Sequence, residues 1–547
     1  MLPTPPLTPS MGTTGLPEAT GAAGSSGRRL SDNELSYYLP ARADGANDMY
    51  VHHGLRASAL AMSLERVDLA WALQLARHPL LASRVAVGKR GYSDVWFAYT
   101  PPTDVAMALE AAAGRLQYLD PKKGAADVDL VDAYLNKGRT LSDDMLACLI
   151  VRRGTRQVVA VGPNGPTASD GDDQMVDYEV MLCTTHYVGD GMALHTFMNQ
   201  LYGLLGGDLS DGELQTMLEA ELLKHNEIPP PLEDRLGLSH FQTAVGHVAQ
   251  RTADANLLGG QVLPAVKGRE RETIVPTKAY TPEQTKAALA RCKAHGVTIA
   301  HVVFALCAVA WSRRQGVDAT QPTMMYSALN MRPHMNATPT PPSFFHLAVG
   351  YFNIVLPTLT LASERSPAEM VWYRAASTKA QTAAAAKSPL AAAMFRATAS
   401  MRAARARHWA CIDDAAAATA ATPATPAATA TLHPPTPEKS DDSHTDTDDE
   451  VLPPAPAGRA FMGLSMLGNL DAMYKHASFP RIRMYALTTG SRQRPGGLLL
   501  FAYTLAGKLW LSLGYDHHGF DTGVIESFWA DVLALADDVF LGPEQQV

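Results

Sequence analysis

Hydrophobic and polar positions along the chain follow two periods, one typical of helices and one of strands. In 64–81, LERVDLAWALQLARHPLL, apolar residues recur at helical spacing, which predicts an amphipathic helix that Pro79 ends near His78. The runs 147–153 and 156–162 read as strands and predict a hairpin whose turn is built around Gly154. The run 177–185, DYEVMLCTT, has a continuous apolar centre, so it predicts a covered strand in the middle of a sheet.

The same two periods return after residue 271. The segment 281–296 has a threonine cap, proline at the first helical position and glutamine three residues after the cap, and it ends in glycine, so it predicts a helix. The apolar segment 297–314 predicts a buried helix, and 365–410 is alanine-rich and helical. Strands are predicted in TMMYSALNMRP, GYFNIVLPTLTL, AFMGLSMLGNLD and GGLLLFAYTLAGKLWLSLGYD, and a closing helix in GVIESFWADVLALADDVF. This order predicts an α+β fold with two mixed-sheet halves that meet at a cleft.

Composition divides the 547 residues into six segments. Residues 1–27 are rich in proline, glycine, threonine and serine, and the insertion after residue 410 combines repeated prolines with an acidic run. Both compositions predict disorder. The segments are a disordered N-terminal tail (1–27), a first subdomain (28–225), a crossover (226–270), the first part of a second subdomain (271–410), a disordered Ala/Pro/acidic insertion (411–458) and the rest of the second subdomain (459–547).

The net charge of −8 is local rather than general. Residues 413–458 contain nine acidic residues against one lysine, so the rest of the chain is neutral. A neutral body offers no broad basic surface for nucleic acid, and we expect a small-molecule partner and a monomer. No run reaches the roughly 18–20 apolar residues of a membrane span. The N-terminus lacks a secretory signal and the five cysteines stand singly, so a cytoplasmic location is expected; a peroxisomal one would lack the usual C-terminal signal.

The stretch 182–191, LCTTHYVGDG, concentrates the candidate chemistry. An apolar run ends at His186, and Asp190-Gly191 follows four residues later. Neutral imidazole, with an ordinary pKa near 6.5, is suited to removing a proton from a hydroxyl near neutral pH. Gly189 and Gly191 allow a sharp turn and a close approach of substrate. The alternative is a core histidine without chemistry.

Other histidines give weaker signals. His195 lies off the apolar stripe of its helix, which predicts polar surface. The His-His pairs at 52–53 and 517–518 match no recognised ligand spacing, so no metal site is predicted.

His186-Tyr-Val-Gly-Asp190-Gly191 resembles the HxxxDG motif of the CoA-dependent acyltransferase superfamily, which includes chloramphenicol acetyltransferase, plant BAHD enzymes and nonribosomal condensation domains. The motif order extends the resemblance over about residues 28–547, with one insertion. It is carried by LARHPLLASRV, HGVTIAHVVFALCAVA, NMRP, GYFNIVLP, SMLGNLD and LSLGYD. The pattern is most similar to fungal O-acetyltransferases of secondary metabolism, of the trichothecene 15-O-acetyltransferase type, and to alcohol acetyltransferases.

The resemblance implies two chloramphenicol-acetyltransferase-like subdomains with the active site between them. It implies an acyl-CoA co-substrate, in the first place acetyl-CoA, no bound cofactor, and a small alcohol acceptor such as a terpenoid, alcohol or glycolipid. His186 would be the general base. Asp190 would be structural and pair with Arg332 of NMRP, and Gly191 would shape the turn.

The sequence departs from the family pattern at two points, and two alternative functions stay open. The chain lacks the DFGWG of plant enzymes, and Thr185 stands where condensation domains usually have a first histidine. One alternative is an amide-forming condensation enzyme that acts on carrier-bound substrates. The other is a ligand-binding homologue without turnover.

Five further residues are candidates with two interpretations each. Asn353 in GYFN either donates to the tetrahedral oxyanion or holds a strand end. The arginines are either contacts to the CoA phosphates or an exposed face, and they are Arg481, Arg483, Arg492 and Arg494.

Overall fold

The structure is a computed structural model, and it describes residues 26–119, 129–157, 175–336, 343–358, 366–421 and 458–543. The helices of these ranges are α1 (Asp32–Ala41), α2 (Leu64–Arg77), α3 (Pro79–Ala82), α4 (Val105–Ala113), α5 (Leu130–Asn136), α6 (Gly191–Gly206), α7 (Asp211–Leu222), α8 (Leu232–Arg235), α9 (His240–Ala255), α10 (Pro282–Ala294), α11 (Ile299–Ser312), α12 (Pro367–Ala386), α13 (Ala391–Ala421) and α14 (Val524–Leu541).

The strands are β1 (Ser26–Arg29), β2 (Met49–Ser58), β3 (Arg84–Val87), β4 (Val95–Tyr99), β5 (Leu116–Leu119), β6 (Ala147–Gln157), β7 (Met175–Thr184), β8 (Thr273–Ile274), β9 (Thr277–Ala279), β10 (Thr323–Asn330), β11 (Val349–Leu356), β12 (Met462–Asn469), β13 (Ile482–Ser491), β14 (Leu498–Leu505) and β15 (Lys508–Asp516).

Two mixed sheets organise the molecule. One has five strands in the order β13-β2-β7-β6-β5, and only its β5–β6 pair is parallel. The other has seven strands: β11-β10-β12-β14-β15-β8, with β9 also pairing with β15. Its β10–β12 and β12–β14 pairs are parallel. A small antiparallel sheet, β1-β4-β3, accompanies the first. The predicted α+β class with two mixed-sheet halves is confirmed.

The strand that leads to His186 occupies the predicted central place in its sheet. β7 lies between β2 and β6, and its apolar residues from Val180 to Cys183 are fully buried. Helices α2 and α6 contribute to the same core, where Trp71 and Phe197 meet edge to face with their ring centroids 5.8 Å apart. The predicted helix is present as α2, which ends at Arg77 with His78 as its C-cap, and Pro79 begins the short α3.

The predicted hairpin around Gly154 is wrong. β6 runs through this glycine to Gln157 and pairs with β7 along its length. A Cβ at Gly154 would lie 2.8 Å from the carbonyl oxygen of Asp177, and the register shifts between Arg153 and Gln157. The glycine therefore serves a close backbone approach at a bulge rather than a turn. Most of the predicted strand 156–162 lies outside the described residues.

The second core forms around the seven-stranded sheet. The capping box of Thr281 and Gln284 starts α10 as predicted, and the chain turns at Gly296, whose φ is +64°. Helix α11 is buried from Val302 to Trp311. Within the described ranges no single helix is long and apolar enough to span a membrane. Only α10 and α11 taken together reach the length and apolar composition of a span, and the two helices are bent by 89° relative to each other.

The sheets do not follow the predicted segment boundaries. β13 comes from the last predicted segment, 459–547, but it is an edge strand of the five-stranded sheet beside β2. Helix α13 continues to Ala421, eleven residues into the predicted insertion 411–458, and Asp414 on it pairs with Arg42 at 2.7 Å. The crossover 226–270 holds α8 and α9, and Ser26 and Gly27 of the predicted tail belong to β1. The rest of the tail and insertion lies outside the described residues.

His195 is fully buried, so its prediction as polar surface is wrong. Its Nδ1 lies 2.8 Å from the Tyr474 hydroxyl, which lies 3.2 Å from Nε2 of His53. His53 Nδ1 in turn lies 2.6 Å from the Tyr202 hydroxyl. Burial lowers the pKa of His195 to about 3, so the ring stays neutral in the folded protein. These tyrosine hydroxyls give Nδ1 of His195 and both ring nitrogens of His53 a hydrogen-bond partner inside the core, which the apolar periodicity of the sequence does not reveal.

These rings predict acid sensitivity. In the unfolded chain a histidine binds a proton near pH 6.5, whereas in the folded protein the buried His195 does so only near its pKa of about 3. Between these two pH values the unfolded state binds more protons, so the folded state loses stability as pH falls. Each such ring contributes up to about 1.4 kcal/mol per pH unit in this window. Urea denaturation from pH 7.5 to 4.5 should therefore show falling stability. His195→Gln should reduce the slope, and the exposed His408→Gln should not. An equal slope in all three proteins would contradict this account.

Candidate active site

The turn that carries His186 is fixed at both ends by secondary structure. β7 ends at Thr184, and the amide of Thr185 donates to the carbonyl of Leu146 at 3.0 Å. Helix α6 begins at Gly191 with Asp190 as its N-cap, so only six residues separate strand and helix. The His186 side chain is partly buried within this short turn. A rigid strand on one side and a capped helix on the other therefore hold the imidazole.

One hydrogen bond determines which ring nitrogen of His186 is available. Nδ1 lies 3.1 Å from the carbonyl oxygen of Gly189. Because a carbonyl only accepts, Nδ1 carries the proton in this bond, and the neutral ring then has its lone pair on Nε2. In the part of the chain that the structure describes, Nε2 has no hydrogen-bond partner. The ring is thus oriented to accept a proton at Nε2.

The surroundings of His186 keep it neutral. Burial lowers the pKa of the imidazole below its ordinary value. The positive charge of Arg402 acts in the same direction, while the turn backbone and Asp190 partly oppose both. At neutral pH the imidazole is therefore unprotonated, as a general base must be.

Asp190 accepts four hydrogen bonds from three donor groups, and none of these groups belongs to His186. Nη1 of Arg332 lies 3.0 Å from both of its oxygens, and the amides of Ala348 and Ala193 donate at 2.8 and 3.1 Å. Arg332 also donates to the carbonyl of His346 at 3.0 Å. Burial acts to raise the pKa of Asp190, but Arg332 and the two amides outweigh it and hold the pKa below its ordinary value. The two residues expected to pair across the halves are thus in contact.

The glycines of the motif serve packing more than backbone freedom. A Cβ on Gly189 would lie 2.4 Å from the Phe345 ring, so a side chain there would displace a buried aromatic residue. Gly191 is the first residue of α6, and a Cβ there would lie 3.2 Å from Leu467. Neither glycine is among those with positive φ. Both neighbours belong to the second half of the chain, so the turn is packed into the junction of the halves.

Three residues beside His186 are not among the candidates that the sequence identifies. The Tyr37 ring stacks on the imidazole, with the ring centroids 4.3 Å apart. The hydroxyls of Tyr37 and Tyr351 hydrogen-bond to each other, and the Arg402 guanidinium lies over both rings, 4.8 and 4.9 Å from their centroids. Tyr37 is on α1, Tyr351 on β11 and Arg402 on α13. Only the packing of three distant elements brings them together; the position of Tyr351 two residues before Asn353 was the single available hint.

Asn353 lies on the edge strand β11, opposite Tyr326 of β10, and its side chain is exposed. Because alternate residues of a strand share a face, Asn353 lies on the face that carries Tyr351. No hydrogen bond of the Asn353 side chain is present among the described residues. Its oxyanion role stays a prediction.

The four candidate arginines are not brought together. Arg492 is 3 % exposed and donates to the carbonyls of Asp44, Tyr134 and Lys137, so it is a structural residue rather than a phosphate ligand.

The other three arginines are exposed but lie apart. Arg483 pairs with Arg56 of β2, which in turn pairs with Asp177 of β7. Asp177 lies seven residues before the end of β7, so Arg483 is about 23 Å along the sheet from the His186 turn. Arg481 precedes β13 at the same far end. Arg494 follows β13 at the near end, where its charge acts on Tyr326. Phosphate contacts of Arg481, Arg483 and Arg494 stay predictions.

The second His-His pair lies in an unexpected arrangement. Ligand atoms of Glu272, His517 and His518 all lie within 4.8 Å of one another, a spacing that fits a metal ion. These side chains also contact carboxylates: Nε2 of His518 lies 3.2 Å from an oxygen of Glu272, and Nδ1 of His517 lies 3.2 Å from an oxygen of Glu526. Both histidines directly follow β15.

Comparison of the fold with solved structures gives full-length matches. The trichothecene 15-O-acetyltransferase TRI3 from Fusarium sporotrichioides matches with a TM-score of 0.69 and 12 % identity, over 96 % of this chain and 97 % of that one. The first condensation domain of the CDA synthetase matches with a TM-score of 0.55 and 13 % identity, over 95 % and 97 %. Polyketide synthase associated protein 5 from Mycobacterium tuberculosis matches with a TM-score of 0.52 and 12 % identity, over 94 % and 98 %. No protein family model and no curated sequence matches.

At these identities the matches establish the fold. It is the chloramphenicol-acetyltransferase-like fold of acyltransferases and condensation domains, as predicted.

The Asp190–Arg332 pair should show strong coupling. Removing one partner of a buried ion pair costs about 3–5 kcal/mol, because the other charge is left uncompensated. Asp190→Ala and Arg332→Ala should each lower the free energy of unfolding by about this amount, and the double variant should cost clearly less than the sum. In the control, Arg56→Ala, the partner Asp177 is more exposed, so the loss should be about 0–1 kcal/mol. Strictly additive losses in urea denaturation would contradict the coupling.

Proposed function

We propose that this protein is an acyl-CoA-dependent O-acyltransferase that esterifies a hydroxyl group of a small molecule. The observation that carries the proposal is the orientation of His186. Its Nδ1–H donates to the turn carbonyl, and its unprotonated Nε2 has no partner among the described residues. A full-length fold match to an O-acetyltransferase is consistent with this chemistry.

In the proposed reaction, Nε2 of His186 takes the proton of the acceptor hydroxyl as its oxygen attacks the thioester carbon. The new C–O bond forms a tetrahedral oxyanion. When the oxyanion collapses, the C–S bond breaks and the CoA thiolate leaves. The proton held on His186 then goes to the thiolate, so ester and CoA–SH are the products and the base is regenerated. The chain needs no acyl-enzyme intermediate for this sequence.

Asp190 has no place in the proton transfer. Its oxygens are occupied by Arg332 and two backbone amides, so it positions the turn instead. The carboxylate also caps helix α6, where the positive end of the helix dipole favours a negative charge. His186 therefore works as a base oriented by a carbonyl rather than by a carboxylate.

Amide formation on carrier-bound substrates is the competing function, because condensation domains share the fold. The local sequence favours ester formation, since Thr185 stands where condensation domains usually have their first histidine. The donor is then free acyl-CoA, in the first place acetyl-CoA, and the acceptor a secondary metabolite alcohol.

If His186 is the general base, its replacement should greatly lower the rate of acyl transfer. With acetyl-CoA and a panel of primary and secondary alcohols, His186→Ala should release CoA about 10²–10⁴-fold more slowly than the parent protein. The exposed His408→Ala should retain the parent rate, and circular dichroism should show both variants folded. Because burial lowers the pKa of His186, the acidic limb of kcat/KM should have its midpoint below about 6.5. Near-normal turnover of His186→Ala would remove this residue from the chemistry.

Ester and amide formation are separated by the form of the donor. We expect turnover with free acyl-CoA and an alcohol in the absence of any carrier protein. The matched reaction replaces the alcohol by the amine of the same carbon skeleton and supplies the acyl group on a phosphopantetheinylated carrier. Ester product from free acyl-CoA, identified by mass spectrometry, supports the proposal. Strict dependence on the carrier would assign the protein to the condensation class.

A further inference from the structure

The residue that the proposed chemistry leaves unexplained is Arg402. Its guanidinium lies 4.8 Å from the centroid of the Tyr37 ring, and that ring stacks directly on His186. On its other side it lies 4.9 Å from the centroid of the Tyr351 ring. The side chain is only partly buried. A positive charge thus stands one aromatic ring away from the proposed base.

The charge of Arg402 is not balanced by an acid. Among the residues that the structure describes, no carboxylate lies within ion-pair distance of Arg402, whereas Arg407 on the same helix pairs with Asp32 at 3.1 Å. Taking a guanidinium out of water is costly unless an anion or aromatic faces compensate it. Two tyrosine rings provide part of this compensation.

Arg402 stays charged in this position. Burial acts to lower the pKa of Arg402, but Tyr37, Tyr351 and Tyr326 outweigh it, and the pKa is raised. A second cation lies farther out: Arg494, which is exposed, acts on the ring of Tyr326. The Tyr326 and Tyr351 rings meet edge to face with their centroids 5.8 Å apart. Tyr351 and Tyr326 therefore lie between the partly buried guanidinium of Arg402 and the exposed one of Arg494.

The position excludes the phosphates of CoA as the partner of Arg402. When the thioester carbon lies at Nε2 of His186, the whole pantetheine arm separates that carbon from the phosphates. A guanidinium one ring away from His186 instead lies near the place where the reacting groups would meet. A guanidinium offers a planar fork of N–H donors, and a carboxylate fits this fork because it accepts two parallel hydrogen bonds.

We infer that Arg402 binds a carboxylate of a substrate whose reacting group lies at His186. This inference rests on the proposed function and adds to it the chemical class of the substrate. The carboxylate has two possible sources with the same chemistry. It belongs either to the acceptor, which is then a hydroxy acid, or to the acyl group of a dicarboxylic thioester such as succinyl-CoA.

Two arms of one experiment separate these sources. The first supplies acetyl-CoA with hydroxy acids and their methyl esters, namely 3-hydroxybutanoate, mandelate and ricinoleate. Acid and ester carry the same hydroxyl and differ in charge. The second supplies 1-octanol with acetyl-CoA or succinyl-CoA. CoA release gives kcat/KM in both arms, and calorimetric titration with the free acids and with succinyl-CoA measures binding without turnover.

Four proteins are compared in each arm: the full-length parent, Arg402→Gln, Arg402→Lys and Arg405→Gln. Arg405 lies one helical turn from Arg402 and faces Asp254, so it controls for loss of a charge on the same helix. Arg402→Lys keeps the charge if Arg402→Gln fails to fold. We expect the parent to prefer the charged substrate in one arm. Since hydrogen bonds to charged groups are the stronger ones, the preference should fall about 10–100-fold in Arg402→Gln, less in Arg402→Lys, and not in Arg405→Gln.

The outcomes distinguish this inference from the proposed function. Equal use of charged and uncharged substrates by the parent, or an unchanged preference in both Arg402 variants, overturns the carboxylate site while leaving the O-acyltransferase intact. If no thioester is consumed, the proposed function fails. The titration then decides the site alone: carboxylate binding that Arg402→Gln loses supports it, and the absence of such binding overturns it.

Discussion

The carboxylate of Asp190 is the constraint on which the site depends. It caps α6, accepts both hydrogen bonds from Arg332 and accepts the amide of Ala348. Arg332 and Ala348 belong to the second half of the chain, whereas the turn belongs to the first. A buried charge tolerates no partial loss of such partners, because the remaining charge then has neither water nor a counter-ion. The junction of the halves and the position of His186 are therefore fixed by one set of contacts.

The same junction explains why the His186 ring is neutral and oriented without a carboxylate partner. The carbonyl of Gly189 holds Nδ1–H, and burial together with Arg402 disfavours the imidazolium. An aspartate at hydrogen-bond distance from Nδ1 would instead stabilise the charged ring. Asp190 lies in the same short turn, but Arg332 and the amides hold its oxygens. Placing the acid against an arginine keeps a negative charge near the turn while leaving the imidazole free to take a proton.

The two halves of the chain share structural elements. β13 comes late in the chain yet completes the first sheet beside β2, and α13 packs against α1 through the first core. Its Arg402 then reaches the His186 turn between two tyrosine rings. Because each half supplies elements to the other, the residues around His186 come from segments more than three hundred positions apart. The packing of the two halves together, rather than either sheet alone, therefore forms the site.

The sequence by itself determined the features that are encoded within a few residues. The central strand β7, the capped helix α10 and the turn from His186 to Gly191 follow from apolar period and capping chemistry, which are local. Together with motif order, these features also led to the fold class.

Tertiary structure decided what depends on distant neighbours. The local sequence predicts a turn at Gly154, but the carbonyl of Asp177 on the paired strand makes the position a bulge. The helical pattern predicts His195 at the surface, but the ring is buried in the core, where Nδ1 contacts the Tyr474 hydroxyl. Arg402 lies in an alanine-rich helix with no distinguishing pattern, and only packing places it over Tyr37. Local periodicity records which face of an element is apolar, but it contains no information about which polar group another element will bring to that face.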